Sequence, residues 1–320
     1  MPPPLQGVSD AFATISKDNT VRVWDLNDYH VSWWARIDLP AGVEPTCLCW
    51  AIGCLFSGWT DGRIRCALHR SSVLPRCPPA RLPAPAVPRL TLLRRRRCHY
   101  VNSPSGTKDS LWQIDGAHAN GVTAIAMSES EKFFVSGGED GEIRLWDIKT
   151  REMVSHLKEH NSRVTGLALC SDHVHALSCS RDRCIFVWDL RQEKHVASNV
   201  QRMGGINAVA LHPNNRNMLS VGQEKKVTFW ELNKPDPVRM ISPAHDGEAL
   251  CIAVSSNGKV AASGGTDDMV KLWDVATGQL LAEGVGHSGH IYGLKFSPDD
   301  RQLVSVGADG NALVWNVYMD

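Results

Sequence analysis

The stretch Val135–Ile148, VSGGEDGEIRLWDI, returns in altered form along the chain. It reappears as LSCSRDRCIFVWDL at Leu177–Leu190, LSVGQEKKVTFWEL at Leu219–Leu232, ASGGTDDMVKLWDV at Ala262–Val275 and VSVGADGNALVWNV at Val304–Val317. An earlier copy, TISKDNTVRVWDL, occupies Thr14–Leu26. Five tryptophans of these units, Trp146, Trp188, Trp230, Trp273 and Trp315, stand 42, 42, 43 and 42 residues apart. A period of ~40–45 residues ending in Trp-Asp predicts an all-β propeller, in which each unit folds as a blade of four short strands.

The spacing within each unit is tighter than the period. Ten residues before each of these tryptophans stands a serine: Ser136, Ser178, Ser220, Ser263 and Ser305. Six residues before stands an acid: Asp140, Asp182, Glu224, Asp267 and Asp309. Eighteen residues before the serine, four units carry a histidine: His118, His160, His245 and His287. A buried indole N–H needs an acceptor. A hydroxyl both donates and accepts, and an imidazole oriented by a carboxylate can join two loops. The pattern resembles the structural tetrad of the WD-repeat family, a hydrogen-bonded Trp–Ser–His–Asp chain within one blade. Any one His/Ser/Asp set imitates a catalytic triad. Recurrence at fixed spacing marks a folding device instead. The third of these five units departs from the pattern: Arg202 stands where the histidine belongs, its acid is Glu224 and its ending is Trp230-Glu231. Gln201–Gly205 is then either a degenerate repeat or a binding loop.

Between Trp24 and Trp146 lie too many residues for one unit. LFSGWTDGRIRCAL fills part of the gap, with Ser57 and Asp61 in phase and Ala67 in the tryptophan position. This predicts a seven-bladed propeller over residues 11–320, with blades ending near 25, 68, 147, 189, 231, 274 and 316. Residues 1–10 are expected to be a disordered N-terminus. The first blade has no candidate inner strand, and the last has no outer one. The expectation is a C-terminal part of a longer protein, or a gene model truncated at its N-terminus. A surplus at 69–107 interrupts the second blade. Seven prolines between Arg70 and Gly106 argue against regular structure there. The surplus reads as a disordered Pro/Arg-rich insertion or as a retained intron.

The formal net charge is zero, but residues 70–106 carry eight arginines and no acid. Their removal leaves 26 basic against 34 acidic residues, a net charge of −8. This argues against nucleic acid and anionic membrane as partners. The ten cysteines form no CxxC pair, so the spacing does not suit zinc. There is no secretory leader pattern and no apolar run of the ~18 residues that span a bilayer. Gly137-Gly138 and Gly264-Gly265 sit in strand turns rather than in phosphate loops. No cofactor, metal or singular nucleophile is implied, and the chain is read as non-enzymatic and intracellular.

The linking phrases carry a closer resemblance. DAFATISKDNTVRVWDL, DGAHANGVTAIAMSESEKFFVSGGEDGEIRLWDI and QLVSVGADGNALVWNVY are similar to the C-terminal propeller of the cilia- and flagella-associated protein 52 family. The likeness covers most of the chain outside 69–107. It implies a protein-interaction scaffold of the cytoskeleton, placed in the cilium or flagellum axoneme, that binds doublet microtubules and supports motility. Tubulin is acidic, so basic residues of the inter-blade turns become candidate contacts: Arg151, Lys158, Arg163, Arg202, Lys225, Lys226 and Arg239. Trp188-Asp189-Leu190-Arg191 resembles the Trp-Asp-x-Arg box of substrate receptors of cullin-4 ubiquitin ligases, which makes Arg191 an alternative contact. A centriolar or intraflagellar-transport scaffold is a third reading.

Overall fold

Each repeat unit separates β-branched and aromatic runs by Gly, Asp, Asn and Ser, and each run forms a strand. The computed structural model describes residues 11–25, 31–37, 39–51, 54–68, 98–101, 111–232 and 234–317. Every regular element among them is a strand. The first sheet is β1 (Ala11–Ile15), β2 (Thr20–Asp25) and β3 (Val31–Arg36). The second comprises β4 (Pro45–Ala51), β5 (Cys54–Trp59), β6 (Ile64–Leu68), β7 (Cys98–Val101) and β8 (Leu111–Ile114). Four four-stranded sheets follow. They are β9 (Val122–Met127) to β12 (Met153–Lys158) with β10 (Phe133–Gly138) and β11 (Glu142–Asp147); then β13 (Val164–Leu169), β14 (His175–Ser180), β15 (Cys184–Asp189) and β16 (Lys194–Val200). The next two are β17 (Ile206–Leu211), β18 (Asn217–Gly222), β19 (Val227–Glu231) and β20 (Arg239–Ile241); then β21 (Ala249–Val254), β22 (Val260–Gly265), β23 (Met269–Asp274) and β24 (Leu280–Val285). The chain closes with β25 (Ile291–Phe296), β26 (Gln302–Gly307) and β27 (Ala312–Asn316). All pairings are antiparallel, and strands follow one another across each repeat sheet. This is a WD-repeat β-propeller.

The sheets stack face to face through successive inner strands, β4 on β9, β9 on β13, β13 on β17, β17 on β21 and β21 on β25, while β1, the counterpart of β10, lies against β4. The second strand of each four-stranded blade is therefore covered on both sides. β10, β14, β18 and β22 are buried almost throughout. They are rich in Ser, Gly, Ala and Val, small residues that let neighbouring sheets approach. The outer strand β24 lies at the rim and is exposed along nearly its whole length. Apolar clusters sit between neighbouring sheets rather than at one centre. Val135, Ile143, Val164 and Trp188 form one, and Leu219, Val227, Ala261 and Trp273 another. Where β2, β11, β15 and β23 meet their outer strands, the register slips one residue at the tryptophan. Such bulges sharpen the local twist of the ribbon.

Six blades share the repeat's own build, with a strand carrying a tryptophan whose Nε1–H donates to a hydroxyl ten residues earlier, β2 in the first sheet and the third strand in the others. The sequence predicts seven, and the β4–β8 sheet breaks the rule. Ala67 brings no indole, so this sheet is held differently. Trp59, at the end of β5, donates to Ser57 Oγ at 2.8 Å. The buried Arg65 grips Asp61 at 3.1 and 2.6 Å and lies over the Trp59 ring. The sheet also has five strands, because Cys98–Val101 adds itself to β8. This corrects the reading of 69–107 as wholly disordered. Cys98–Val101 lies in the proline-free part of that surplus and carries the strand-formers Tyr100 and Val101. The prolines fall outside the described residues, as does the N-terminal stretch 1–10.

Two rows of hydrogen bonds tie sheet to sheet. Along the inner strands, Thr165 Oγ1 donates to the Ile206 carbonyl at 2.7 Å and Asn207 Nδ2 to that of Ala249 at 2.8 Å. Thr46 and Cys251 make the corresponding links to Val122 and Ile291. The second row joins the turns between first and second strands. His173 faces Ser128 at 3.5 Å, and Asn215 bonds the backbone and hydroxyl of Ser171. His212 bonds the Gly258 carbonyl at 3.0 Å, and Asp300 accepts from Ser256 and Asn257. His173, Asn215 and Asp300 all have positive φ. That twist closes the turn and aims the side chain at the preceding one.

Candidate functional site

Four blades contain the complete hydrogen-bonded chain. In the first of them Trp146 Nε1–H donates to Ser136 Oγ at 2.8 Å, and His118 Nε2 lies 2.8 Å from the same oxygen. His118 Nδ1 lies 3.0 Å from Asp140, whose other oxygen accepts the Ala119 N–H. The serine hydroxyl accepts from the indole, and with the imidazole proton on Nδ1 facing Asp140 it can donate its own proton to Nε2. Trp188, Ser178, His160 and Asp182 repeat this geometry, as do Trp273, Ser263, His245 and Asp267, and Trp315, Ser305, His287 and Asp309.

These groups are out of solvent. Ser136, Ser178, Ser263 and Ser305 are fully buried, and the four histidines nearly so. Burial pushes the His245 pKa below its ordinary 6.5 despite the Asp267 carboxylate beside it. Burial works to raise Asp140, Asp182 and Asp267, but histidine and backbone donors outweigh it and hold all three below the usual carboxylate range. A hydroxyl pinned between an indole and an imidazole in the interior cannot reach a substrate. The chain stiffens the junction between its four partners.

The blade of β17–β20 keeps part of this. Trp230 donates to Ser220 at 2.8 Å, and Glu224 accepts the Met203 N–H at 2.8 Å. Arg202 does not enter the histidine's place; its side chain is exposed. Gly222 lies against the chain before β17: a Cβ there would stand 2.3 Å from the Gly205 carbonyl oxygen, the same approach that Gly265 makes to Glu248 in a blade that keeps its histidine. Two further anchors escape the serine rule. Thr14 Oγ1 accepts from Trp24 at 2.8 Å, at the serine's spacing, so the pattern widened to threonine would have found it. The Arg65–Asp61 pair of the second sheet has counterparts in Arg22–Asp18 at 3.0 Å and Arg144–Asp140 at 3.7 Å, while Trp59 beneath Arg65 left no periodic signal.

The basic residues proposed as contacts do not come together. In an antiparallel blade, the turn after the second strand shares one end with the connection into the next blade. Arg163, Arg202, Lys225 and Lys226 lie at that end, with the histidines. Arg151 and Arg191 lie at the opposite end, on turns after third strands. Lys158 and Arg239 are on outer strands rather than on turns. Most are engaged. Lys158 pairs with Glu142 at 3.2 Å, Arg163 with Glu139 at 3.5 Å and Lys226 with Glu224 at 2.9 Å. Lys225 bonds the Asp246 carbonyl, Arg239 that of Ala276, and Arg151 covers the Trp112 ring at 5.1 Å. The Arg191 N–H caps onto Asp189 while its side chain is exposed.

Residues 99–273 match the β-propeller family described as Nucleolar protein 10-like, N-terminal domain. The match spans more than half of the chain, and the chain belongs to that family. Residues 278–316 match the WD domain, G-beta repeat. It is a WD-repeat β-propeller. Between them the two matches include the last five tetrad tryptophans. This propeller is 28% identical to the human Cilia- and flagella-associated protein 52 over 317 residues, 97% of this chain and 44% of that protein. It is 37% identical to the Chlamydomonas reinhardtii protein of the same name over 79 residues, 25% of this chain and 13% of that one. Protein tipD of Dictyostelium discoideum is 37% identical over 75 residues, 23% of this chain and 12% of that protein. The propeller thus spans less than half the length of these curated relatives.

Proposed function

We propose that this propeller is a non-enzymatic protein-interaction scaffold of the cilium or flagellum axoneme, which binds doublet microtubules and supports motility. The observation that carries the reading is the likeness to Cilia- and flagella-associated protein 52 along 97% of the chain. The geometry agrees with binding rather than chemistry. The Ser, His and Asp sets that could serve as triads are buried and repeated four times, each bound to a tryptophan. The work then falls to turns and rims, through several weak patches acting together. Tagged chain in ciliated cells is expected at the axoneme, and purified chain is expected to sediment with doublet microtubules. A chain that stays out of the axoneme and fails to sediment would refute the reading.

A further inference from the structure

We infer that the sector of the histidine end shared by the β13–β16 and β17–β20 blades is a docking surface for an acidic peptide segment of a partner protein. Its residues are Arg181, Arg183, Arg202, Met203 and Lys225. Arg181 and Arg183 flank Asp182 in the turn between β14 and β15. Contacts join them into one surface. Arg183 Nη1 donates to the Arg202 carbonyl at 3.3 Å. The Arg181 stem packs on Gly205, where an added Cβ would stand 2.7 Å from its Cδ. Glu224 joins the Met203 N–H to Lys226, and Lys225 reaches the Asp246 backbone.

The surface is held in place yet poorly neutralised. Where four other blades insert a histidine, this one carries Gln201–Gly205, with Gln201 buried and Arg202 and Met203 exposed. Gln201 donates to the Met203 carbonyl at 2.9 Å, and the Gly205 N–H donates to Gln223 at 2.7 Å. Met203 is consequently 71% exposed, with Arg202 beside it. Among the described residues, neither Arg183 nor Arg202 has a carboxylate partner. Arg181 Nη2 lies 3.8 Å from Glu248, too far for a hydrogen bond, and its Nε has no acceptor. Of the other acids here, Asp182 and Glu224 are occupied by turn backbone and by His160 or Lys226, which leaves Glu248 as the one carboxylate facing an arginine of the surface.

Guanidinium forks with open valences favour carboxylates in bidentate geometry. An exposed methionine among them offers a soft apolar contact that adapts to different side chains. Arginine and methionine are also enriched at the centres of protein interfaces. An acidic segment with an apolar residue satisfies both features. The inference does not depend on the axonemal reading, since acidic segments occur on many proteins.

Fluorescence anisotropy with a labelled peptide of about twelve residues, Glu and Asp around one central Leu, tests it at about 0.15 M salt. Arg183→Glu combined with Arg202→Glu is expected to weaken binding at least about tenfold, and Met203→Ala alone to weaken it less. Both positions are exposed, and an unchanged melting temperature would show that the fold is kept. The control is Lys149→Glu with Arg191→Glu, an equal charge change at the opposite end, expected to leave affinity within about twofold. Binding unaffected by the first pair, or weakened equally by the control, overturns the inference. So does a single-stranded oligonucleotide that displaces the peptide at equal concentration.

Discussion

Ser178 and Ser220 are equivalent by sequence position and equally buried, yet their hydroxyls do different amounts of work. Ser178 Oγ accepts from Trp188 at 2.8 Å and meets His160 Nε2 at 2.7 Å. Ser220 Oγ meets Trp230 at 2.8 Å, and its blade has no histidine to offer. Ser178→Ala strands two buried polar groups; Ser220→Ala strands one. At about 1–3 kcal/mol for each stranded group, the expected losses are about 2–6 and about 1–3 kcal/mol. The removed volume is the same small hydroxyl in both, so cavity effects cancel in the comparison. Urea unfolding followed by tryptophan fluorescence gives a first measure. With a slope of about 3 kcal/mol/M, a difference of about 2 kcal/mol separates the midpoints by about 0.7 M. Sheets that touch only their neighbours can unfold in parts. Hydrogen exchange at the Trp188 and Trp230 indole N–H therefore supplies the local reading. Protection should fall further at Trp188 in Ser178→Ala than at Trp230 in Ser220→Ala. Equal losses, or a larger loss for Ser220→Ala, would refute the account of the tetrad as a chain whose links add.

Acid should unfold the protein in two stages. The depressed His245 pKa means that the folded chain binds fewer protons than the unfolded one as pH falls through 6.5. Its contribution to stability is complete above that pH and declines below it. Asp140, Asp182 and Asp267 act in the same direction once pH falls below their ordinary 3.8, as a pH series of melting temperatures can show. Gly138→Ala should be severe, because its Cβ would stand 2.2 Å from His118 Nδ1 and 2.3 Å from Asp140 Oδ1. Gly310→Ala meets nothing within 4 Å and carries only the strain of φ +77°, about 1 kcal/mol, so thermal melts should separate the two clearly. Deletion of residues 70–106 should change stability by no more than about 1 kcal/mol. β8 pairs directly with β6 from Ile64↔Ile114 to Cys66↔Trp112, leaving a four-stranded sheet. A collapsed circular dichroism spectrum after deletion would contradict this.

The repeat was legible because the tetrad is a geometric device. Its four partners meet only if Trp, Ser, Asp and His keep fixed distances along the chain, and those distances survive in the text of the sequence. Trp59 lies under Arg65 in one sheet alone among those described, so no period announces that contact. The split of Arg151 and Arg191 from Arg163 and Arg202 was hidden for a different reason. Sequence spacing locates a turn, but strand direction decides which end of the blade the turn occupies. Arg202 marks the limit of reading by alignment. Its spacing marks a missing histidine, but that Gln201 is buried against the Met203 carbonyl while Arg202 and Met203 stay outside follows only from the fold.

In the row of turns opposite the tetrad histidines, His212 reaches forward to Gly258, but the other three links run the opposite way. His173, Asn215 and Asp300 each reach back to the turn before their own. A ribosome delivers the chain from its N-terminus, so Ser128, Ser171 and Ser256 emerge well ahead of the side chains that complete them. Each turn then stays open toward water until its successor arrives. Assembly along this face would resemble the closing of a zip drawn in the direction of translation, with every blade fastened by the next one made.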